Sequence, residues 1–578
     1  MKGLFIVLLV VLSLVGCKKD QGQVVAKAAT TDSSSDTPTS TTDVPTTTPG
    51  TAAGTGTATA TGTAATTDTA TTTVDSAAPA GTTITLNSGA SSTVAASINV
   101  AIIATDNVGV TGLFLSETNT APAADNSGWV TVASTASYSD NQSYTLSSTE
   151  GNKTLYLWVK DAAGNISAGA QGNILLTSNW GNQFGSAGSE TVFDIAADQQ
   201  GNVYVVGHTT GDLDGNTNHG FTDIFISKFD RTGTRLWTKQ PGTAAFDGAA
   251  AAEVDSQGNL YVAGTTSGGL DGNTLVGGAS DLFISKYSPD GQLVWTKQPG
   301  TSGSEEVYGL DIDPQDNVVA TGYTTGALDS NAYQGSNDLF VTKYDTDGNF
   351  VWTKQSGADN DIGNAVAIAQ NGNIYVSGYS TGNFEGNTNA NLGVPDIFIS
   401  KYDSAGAPVW SKLIGGTGQD NGFDLVVDSS ENIYLTGQTN GALSGANAGG
   451  YDLFVTKLDA SGTVLWTKQD GSTANDAGNR LALDGAGNLW IVGEATAAVD
   501  GTTYQSGVDA LVSKYDADGN SLLTKHLGTT VNDYGRGVTF DTSGNLLIGG
   551  NTTGTFTGET TAGSDDLFIL KNPLGYMP

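Results

Sequence analysis

The chain has 578 residues and carries 58 Asp and Glu against 23 Lys and Arg, a formal net charge of −35. This acidic excess argues against nucleic acid and anionic lipid headgroups as partners, because both are bound through a positively charged face. The single Cys excludes an internal disulfide framework and a Cys-rich zinc site. Glycine, at 78 residues, is nearly twice as frequent as the usual ~7%, which predicts a chain rich in turns.

Residues 1–16 have the pattern of a secretory signal, with one Lys followed by an apolar run from Leu4 to Val15. The run is too short to span a bilayer comfortably, which takes ~20 apolar residues. Leu14-Val15-Gly16-Cys17 resembles the lipobox of bacterial lipoproteins, which implies that Cys17 becomes the acylated N-terminus. The alternative is an ordinary cleaved signal in which Cys17 has no role. The resemblance further implies an extracytoplasmic protein that is anchored in the outer membrane by its lipid alone. Whether the protein is exposed at the cell surface stays open.

Residues 17–81 are rich in Thr, Ala and Ser. They predict a disordered linker, because such a composition cannot bury enough apolar surface to offset the entropy of ordering. The linker would hold whatever follows clear of the membrane.

Residues 82–177 change to short β-patterned runs. Ser97–Thr105 and Gly109–Ser116 are predicted strands separated by a turn at Asp106–Asn107, and about 95 residues of this kind predict a small antiparallel sandwich. The segment Leu157–Asn165, LWVKDAAGN, resembles the closing strands of bacterial Ig-like domains. That resemblance implies an Ig-like spacer, here without a core disulfide.

Residues 178–578 are one unit repeated. Six Trp residues recur at spacings of 57, 58, 57, 58 and 56, and Leu523 takes the seventh place after another 57. These residues are Trp180, Trp237, Trp295, Trp352, Trp410 and Trp466. A period this regular predicts a repeat architecture rather than several independent domains.

Each period supplies four short strands, which predicts an all-β fold with a seven-bladed β-propeller. In the second period the strands include Leu260–Gly264, Asp281–Tyr287 and Gln292–Lys297, joined by turns rich in Gly, Asn and Asp. The strand at Trp180 precedes the first full repeat, and the chain stops after the third strand of the last. We therefore expect the Trp180 strand to complete the last sheet and close the ring; an open solenoid is the alternative.

The repeats resemble the bacterial SBBP β-propeller repeats. The shared motif is Asp-(Leu/Ile)-Phe-(Ile/Val)-(Ser/Thr)-Lys-(Tyr/Phe), followed by a turn and Trp-Thr-Lys. The sixth copy departs from it at Ala510 and Leu511, and the seventh lacks the Trp. The resemblance implies the fold and an extracytoplasmic location, and it carries no activity. The Asp and Lys that recur in every copy are interpreted as scaffold, through strand-end hydrogen bonds and an inter-blade ion pair.

One set of acids stands just before the innermost strand of every repeat. A propeller would gather the seven at one mouth of its axial channel, where their charges would attract cations and raise one another's pKa. The alternative is that each carboxylate caps its own connecting turn. The seven are Glu190, Asp247, Glu305, Asp361, Asp420, Asp476 and Asp533.

Two further groups of residues are considered, one as a calcium site and one as a catalytic or metal-binding site. Asp212, Asp214 and Asn216 place oxygen ligands at alternate positions, a spacing that suits Ca²⁺, although a solvated turn explains them as well. The three histidines are His208, His219 and His526. They form none of the spacings of a metal or catalytic motif, so no catalytic residue and no cofactor other than Ca²⁺ is predicted.

The sequence thus predicts a lipid-anchored protein whose propeller is a non-catalytic binding or scaffold module for a protein or glycan ligand. Two alternatives stay open. One is a polysaccharide hydrolase or lyase that uses carboxylates on the loop face, and the other is a structural envelope protein without a specific ligand.

Overall fold

A computed structural model describes residues 74–573, except residues 91, 149 and 390. The predicted signal, Cys17 and residues 18–73 of the predicted linker lie outside the described residues. No helix among the described residues is long and apolar enough to cross a membrane.

Six strands form the N-terminal β domain, and a 3₁₀ helix spans Asn87–Gly89. The sheet order is β1-β3-β5-β6-β2, with β4 paired to β3. The strands are Ala80–Leu86 (β1), Ser92–Thr93 (β2), Ser97–Ser116 (β3), Val130–Thr145 (β4), Gly151–Asp161 (β5) and Ala170–Leu176 (β6). The first strand therefore begins at Ala80, inside the segment predicted to be linker.

Strand β3 is continuous through Asp106–Asn107, where we predicted a turn. Asp106 Oδ2 accepts hydrogen bonds from the backbone N–H of Val108 (2.9 Å) and Gly109 (2.6 Å). These bonds produce a register shift between Thr105 and Val110 instead of a chain reversal. Before the shift β3 pairs with β1 and β4, and after it the strand also pairs with β5.

The core of this domain follows the two-residue period of a strand. Ile98, Val100, Ile102 and Ala104 are buried, and the residues between them are more exposed. They pack in one cluster with residues of β5 such as Leu155 and Leu157.

The rest of the described chain forms seven four-stranded sheets, numbered sheet 1 to sheet 7 in chain order. The inner strands are Glu190–Ala197, Asp247–Val254, Glu305–Ile312, Asp361–Ile368, Asp420–Val427, Asp476–Leu483 and Asp533–Phe540. The second strands are Val203–Thr209, Leu260–Thr266, Val318–Thr324, Ile374–Ser380, Ile433–Thr439, Leu489–Ala495 and Leu546–Thr552. The third strands are Asp223–Phe229, Asp281–Tyr287, Asp338–Tyr344, Asp396–Tyr402, Asp452–Leu458, Asp509–Tyr515 and Asp566–Lys571.

The outer strands are Arg235–Lys239, Leu293–Lys297, Phe350–Ser356, Pro408–Ile414, Val464–Asp470, Ser521–Leu527 and, for sheet 7, Trp180–Phe184. Sheet 7 therefore takes its outer strand from the beginning of the repeat region, where Phe568 pairs with Gln183. This confirms the pairing predicted from the phase of the repeats. Two 3₁₀ helices, Leu270–Gly272 and Leu328–Ser330, lie in loops after second strands.

The sheets pack face to face, since their middle strands are buried on both sides. All seven residues of Asp281–Tyr287 are buried, and the neighbouring sheets contribute to the same apolar clusters. The inner strands contact one another in sequence around the axis, and the inner strand of sheet 7 contacts that of sheet 1. The chain is thus an all-β protein with repeated four-stranded sheets in a propeller-like arrangement.

The recurrent Lys of the third strand connects neighbouring sheets. Lys228 Nζ lies 3.6 Å from Asp198 Oδ2 of its own sheet and 4.8 Å from the centre of the Tyr204 ring. It also donates a hydrogen bond of 2.9 Å to the backbone carbonyl of Pro289 in the next sheet. The ion pair is therefore within a sheet, and the contact between sheets is the hydrogen bond to a turn carbonyl.

Candidate functional site

The structure buries the seven acids predicted to ring a channel mouth. Six are 0% exposed, and Asp476 is 1% exposed. The other six are Glu190, Asp247, Glu305, Asp361, Asp420 and Asp533. The open acidic mouth predicted from them is therefore not formed by these side chains.

Their hydrogen bonds explain the burial. Asp247 Oδ2 accepts from the backbone N–H (2.6 Å) and the hydroxyl (2.8 Å) of Thr243, and its Oδ1 accepts from the Thr266 hydroxyl. Glu305 repeats this arrangement with Thr301 and Thr324. Each of these carboxylates thus accepts hydrogen bonds from the loop that leads into its own inner strand. The sequence carried a signal for this role, since most copies have Ser or Thr four residues before the acid and nineteen residues after it.

Each of these acids also lies near the Asp that opens the third strand of the preceding sheet. Burial, and to a smaller extent the neighbouring charge of Asp420, raises the pKa of Asp396 to about 6. Burial likewise raises the pKa of Asp476 to about 6, with a smaller contribution from Asp452. The expected repulsion between carboxylates therefore exists, but it acts within buried pairs between sheets and is secondary to desolvation.

The axis of the repeat region holds a cavity of about 380 Å³, lined by the inner strands of the seven sheets. Its charged lining consists of four carboxylic acids and one guanidinium: Asp194, Glu253, Asp311, Asp424 and Arg480. We call this cavity the axial channel. Its volume is near the lower end of the range for small-ligand sites, ~300–1,000 Å³.

The channel carboxylates are held by backbone N–H groups. Asp311 Oδ2 accepts from Ile368 N (2.6 Å) in the next sheet, and its Oδ1 accepts from Ile312 N (2.7 Å). Asp424 Oδ2 accepts from Leu481 N (2.9 Å) in the same way. The inner strands have one unpaired edge, so these carboxylates satisfy donors that would otherwise face the cavity.

The electrostatics of the channel follow from its enclosure. Burial raises the pKa of Glu253 to about 8, and the charge of Asp311 adds to the rise. Burial raises the pKa of Asp311 to about 7 and that of Asp424 to about 6, the latter opposed by Arg480. Burial also raises the pKa of Asp194, whose Oδ1 lies 4.0 Å from Arg480 Nε. The cavity is large enough for water or a small cation, and the pKa values of Glu253, Asp311 and Asp424 lie between about 6 and about 8.

Sequence reasoning missed the channel acids because it searched for acids present in every repeat. Asp194 and Asp424 occupy one position of the inner strand, where other sheets carry residues such as Ala251. Glu253 and Asp311 occupy another, two residues later in the repeat. The available signal was a charged side chain at an inner-strand position that is small or apolar in the remaining sheets; Arg480 shares the position of Asp194 and Asp424.

The residues considered as Ca²⁺ ligands, Asp212, Asp214 and Asn216, form hydrogen bonds within their loop and to the neighbouring outer strand. Asp214 Oδ1 lies 2.6 Å from Arg235 Nη2, and its Oδ2 accepts from the Thr238 hydroxyl. Asp212 Oδ1 accepts from Asn218 N (2.8 Å), and Asn216 Nδ2 donates to Leu213 O (2.8 Å). Asp212 and Asp214 belong to no cluster of three metal-ligating groups found among the described residues. The structure therefore favours the turn interpretation.

The histidines are separated and have local roles. His526 is buried, with Nδ1 3.2 Å from Asp509 Oδ2 and Nε2 accepting from Val499 N at 3.4 Å. His219 Nδ1 lies 3.1 Å from Asp223 Oδ2. Burial lowers the pKa of His208 to about 4, so this ring is neutral at physiological pH.

The outer strands expose a repeated apolar residue, the one that precedes the Trp or Leu of each repeat. Six copies have 47% to 55% of their surface exposed. We call them the outer belt: Leu236, Val294, Val351, Val409, Leu465 and Leu522. Each lies on a strand with a partner on one side only within its sheet.

Comparison with known proteins identifies the repeats. The family model for SBBP, described as a beta-propeller repeat, matches residues 179–214, 351–385 and 409–443. An uncharacterized WD repeat-containing protein of Acanthamoeba polyphaga mimivirus is 25% identical over 414 residues, which cover 53% of this chain and 29% of that protein. The regulatory protein FlaEY of Caulobacter vibrioides is 24% identical over 446 residues, which cover 64% of this chain and 45% of that protein.

Among solved structures, an ulvan lyase of polysaccharide lyase family PL25 is similar with a TM-score of 0.40 and 10% identity, over 67% of this chain and 95% of the lyase. A likeness this partial assigns no activity to the chain. The match to the family model shows that the chain carries SBBP beta-propeller repeats.

Proposed function

We propose that this protein is a lipid-anchored, extracytoplasmic scaffold whose seven-bladed propeller binds a protein partner through the outer belt. The observation that carries the proposal is the recurrence of a half-exposed aliphatic side chain at one position of six outer strands. Single exposed apolar residues are ordinary on protein surfaces. The recurrence of the side chain at one structural position of six sheets, rather than its exposure alone, therefore supports an interaction surface.

The belt suits a polypeptide better than a sugar. An outer strand presents unpaired backbone N–H and C=O groups beside its aliphatic side chains. An extended segment of another protein can pair with those groups and place its own apolar residues on the belt. Sheet 7 lacks the aliphatic residue, since Asn179 stands before Trp180. Six sheets thus offer equivalent positions, which favours a multivalent scaffold.

The other parts of the chain fit a role outside the cytoplasm. The Leu14–Cys17 sequence supports acylation at Cys17, and the Thr-rich segment supports a long tether. The N-terminal β domain supports an Ig-like spacer between tether and propeller. Cys17→Ala tests the anchor, because the variant should remain unprocessed in the native cell; normal maturation and membrane attachment would remove the lipoprotein assignment.

The binding role is tested by photo-crosslinking in the native cell. A photoreactive amino acid is placed at Val294, Val351 or Val409 of the outer belt, and at exposed Thr217 on the loop face as the matched control. We expect the same protein adduct from the three belt positions and none from position 217. Adducts from position 217 alone would place binding on the loop face, and no adduct at any position would favour the structural alternative.

The enzymatic alternative is tested separately with the purified chain. Acidic and neutral polysaccharides are incubated with it, and new reducing ends and unsaturated uronates are measured. A scaffold produces neither. Cleavage that disappears in Glu253→Gln or Asp311→Asn would replace the scaffold proposal by a catalytic one.

A further inference from the structure

Three carboxylates of the N-terminal β domain form a group that has no part in the channel or the belt. One oxygen from each of Asp75, Asp106 and Asp161 lies within 4.8 Å of the other two. Asp75 precedes β1, Asp106 lies at the irregularity of β3, and Asp161 ends β5. Three separate segments of the chain thus bring their acids to one point.

Two of the three acids are buried, Asp75 is partly buried, and the oxygens of the group are incompletely satisfied. Asp106 is 8% exposed and Asp161 is 2% exposed. Asp106 Oδ1 and Asp75 Oδ2 are buried without any hydrogen-bond partner. No ion pair among the described residues brings a Lys, Arg or His to these three acids. Buried carboxylates without a compensating charge are costly and repel one another, so the group requires a cation or a proton.

The remaining oxygens are fixed by donors from the protein. Asp106 Oδ2 accepts from Val108 N and Gly109 N, and Asp161 Oδ2 accepts from Asn165 Nδ2 at 2.7 Å. Asp75 Oδ1 accepts from Ala77 N (3.1 Å) and Asn107 Nδ2 (3.0 Å). These bonds orient the carboxylates and leave the unpartnered oxygens of Asp75 and Asp106 free to act as ligands.

We propose that Asp75, Asp106 and Asp161 bind one Ca²⁺. The cluster offers oxygen ligands alone, which suit Ca²⁺ and not Zn²⁺, whose protein sites are built largely from Cys and His. Three carboxylates supply part of the 6–8 oxygens that Ca²⁺ takes, and waters or carbonyl groups complete the shell. The ion joins the chain at Asp75, where it enters the domain, to β3 and β5.

Isothermal titration of the chelator-treated full chain with CaCl₂ tests the site. We expect one Ca²⁺ to bind per chain at the three carboxylates. Its affinity should fall at least tenfold, or binding should be lost, in Asp75→Asn and in Asp161→Asn. The control Asp212→Asn changes an exposed acid of the propeller loop and should retain the binding. Absence of heat in the wild-type chain at millimolar Ca²⁺, or equal binding in wild type and both cluster variants, would overturn the proposal. Equal heat with MgCl₂ would overturn the assignment to calcium.

Thermal melting separates a metal site from a purely structural cluster. In chelator the Asn variants should melt at or above the wild-type temperature, because one repelling charge is gone. In Ca²⁺ the wild type should melt higher than either variant. Variants that melt lower in both conditions and keep the full Ca²⁺-induced shift would show that the carboxylates only support the fold.

Discussion

Lys571 Nζ donates a hydrogen bond of 3.1 Å to the backbone carbonyl of Arg231, and this contact joins sheet 7 to sheet 1. Trp180 Nε1 donates to the same carbonyl at 3.0 Å, from the strand that completes sheet 7. Lys571 also lies 3.0 Å from Asp541 Oδ2 and 2.9 Å from Glu150 Oε2 of the N-terminal β domain. One buried ammonium group therefore connects the two ends of the repeat region and the preceding domain.

Lys571→Met should destabilise the protein by ~3 kcal/mol, because removing the cation leaves two carboxylates without their buried partner. The free energy of unfolding measured with urea checks this. The matched control is Lys457→Met. Lys457 makes the equivalent bond to Ala517 O (3.0 Å), but it has no ion pair among the described residues. We expect the control to lose ~1 kcal/mol. Equal losses would show that closure depends on the carbonyl contact alone.

His526 occupies the position that Gln takes in several other sheets. In sheet 1, Gln240 Oε1 accepts from Leu213 N (3.0 Å), while its Nε2 donates to Gly211 O (3.0 Å) and Asp223 Oδ2 (3.2 Å). The imidazole of His526 makes a longer contact of 3.4 Å to Val499 N. His526→Gln should therefore preserve or raise the urea midpoint. His526→Ala should lower stability by ~1–3 kcal/mol, because buried donors and acceptors lose their partner.

The reciprocal substitution provides the control. Gln469→His replaces the amide that serves Leu443 N and Asp452 Oδ2 in sheet 5, and it should lower the midpoint. If His526→Gln destabilises as much as Gln469→His, the two positions are not equivalent, and His526 does not take the role of the Gln in the other sheets.

The repeat fold could be predicted from sequence because every repeat carries the same local sequence patterns for its strands and turns. The second strands are mostly apolar, and the third strands repeat the motif from Asp to Lys and an aromatic residue in nearly every copy. The turns carry Asp, Gly and Asn at fixed places, and the Trp180 strand is out of phase by one sheet. Each of these is a pattern of neighbours along the chain. Asp255 illustrates it: its Oδ1 accepts from Gln257 N (3.0 Å) and Asn259 N (2.8 Å), which is the bonding expected of an Asp before a tight turn.

The candidate sites could not be predicted in the same way, because they depend on contacts between residues that are distant along the chain. Whether Asp247 faced solvent or the Thr266 hydroxyl depended on how neighbouring strands packed. The joining of Asp75 to Asp106 and Asp161 required β3 to continue through its bulge, whereas the sequence favoured a turn. Burial of the acids therefore came from tertiary packing, which overrode the local expectation of exposed charge.

Outer belt residues should contribute little to folding. Val351→Thr removes half-exposed apolar surface, and we expect a change in stability within ~0.5 kcal/mol. Val341→Thr is the control, since this residue is fully buried in the third strand of the same sheet, and it should cost well over 1 kcal/mol by burying an additional hydroxyl. Urea unfolding of both variants measures the difference. A large loss in Val351→Thr would mean that the belt belongs to the core, and the binding proposal would lose its basis.

Stability should fall as pH rises from about 4 to about 8. Burial raises the pKa of Glu253 to about 8 and that of Asp311 to about 7 in the folded protein, from ordinary values of 4.5 and 3.8. The folded state thus holds protons that the unfolded chain has already released, so each unit of pH above the unfolded pKa favours unfolding until the folded pKa is passed. Urea midpoints measured between pH 4 and pH 9 should decrease across this window.

Substitution assigns the effect to the channel. Glu253→Gln removes the titrating group, so it should leave the urea midpoint nearly unchanged at pH 4 and raise it at pH 8, because no charge is then buried.

Glu431→Gln is the control, for which we expect the opposite effect at pH 8. Burial alone would raise the pKa of Glu431, but hydrogen bonds from Tyr375, Asn373 and Lys401 lower it to about 2. The ionised Glu431 stabilises the folded protein above the unfolded pKa of 4.5, and this stabilisation is lost as pH falls toward 2. Glu431→Gln should therefore lower the urea midpoint at pH 8. If Glu253→Gln lowered it as well, the channel carboxylates would be ionised and paired, and the acidic channel would be a site already filled by a cation.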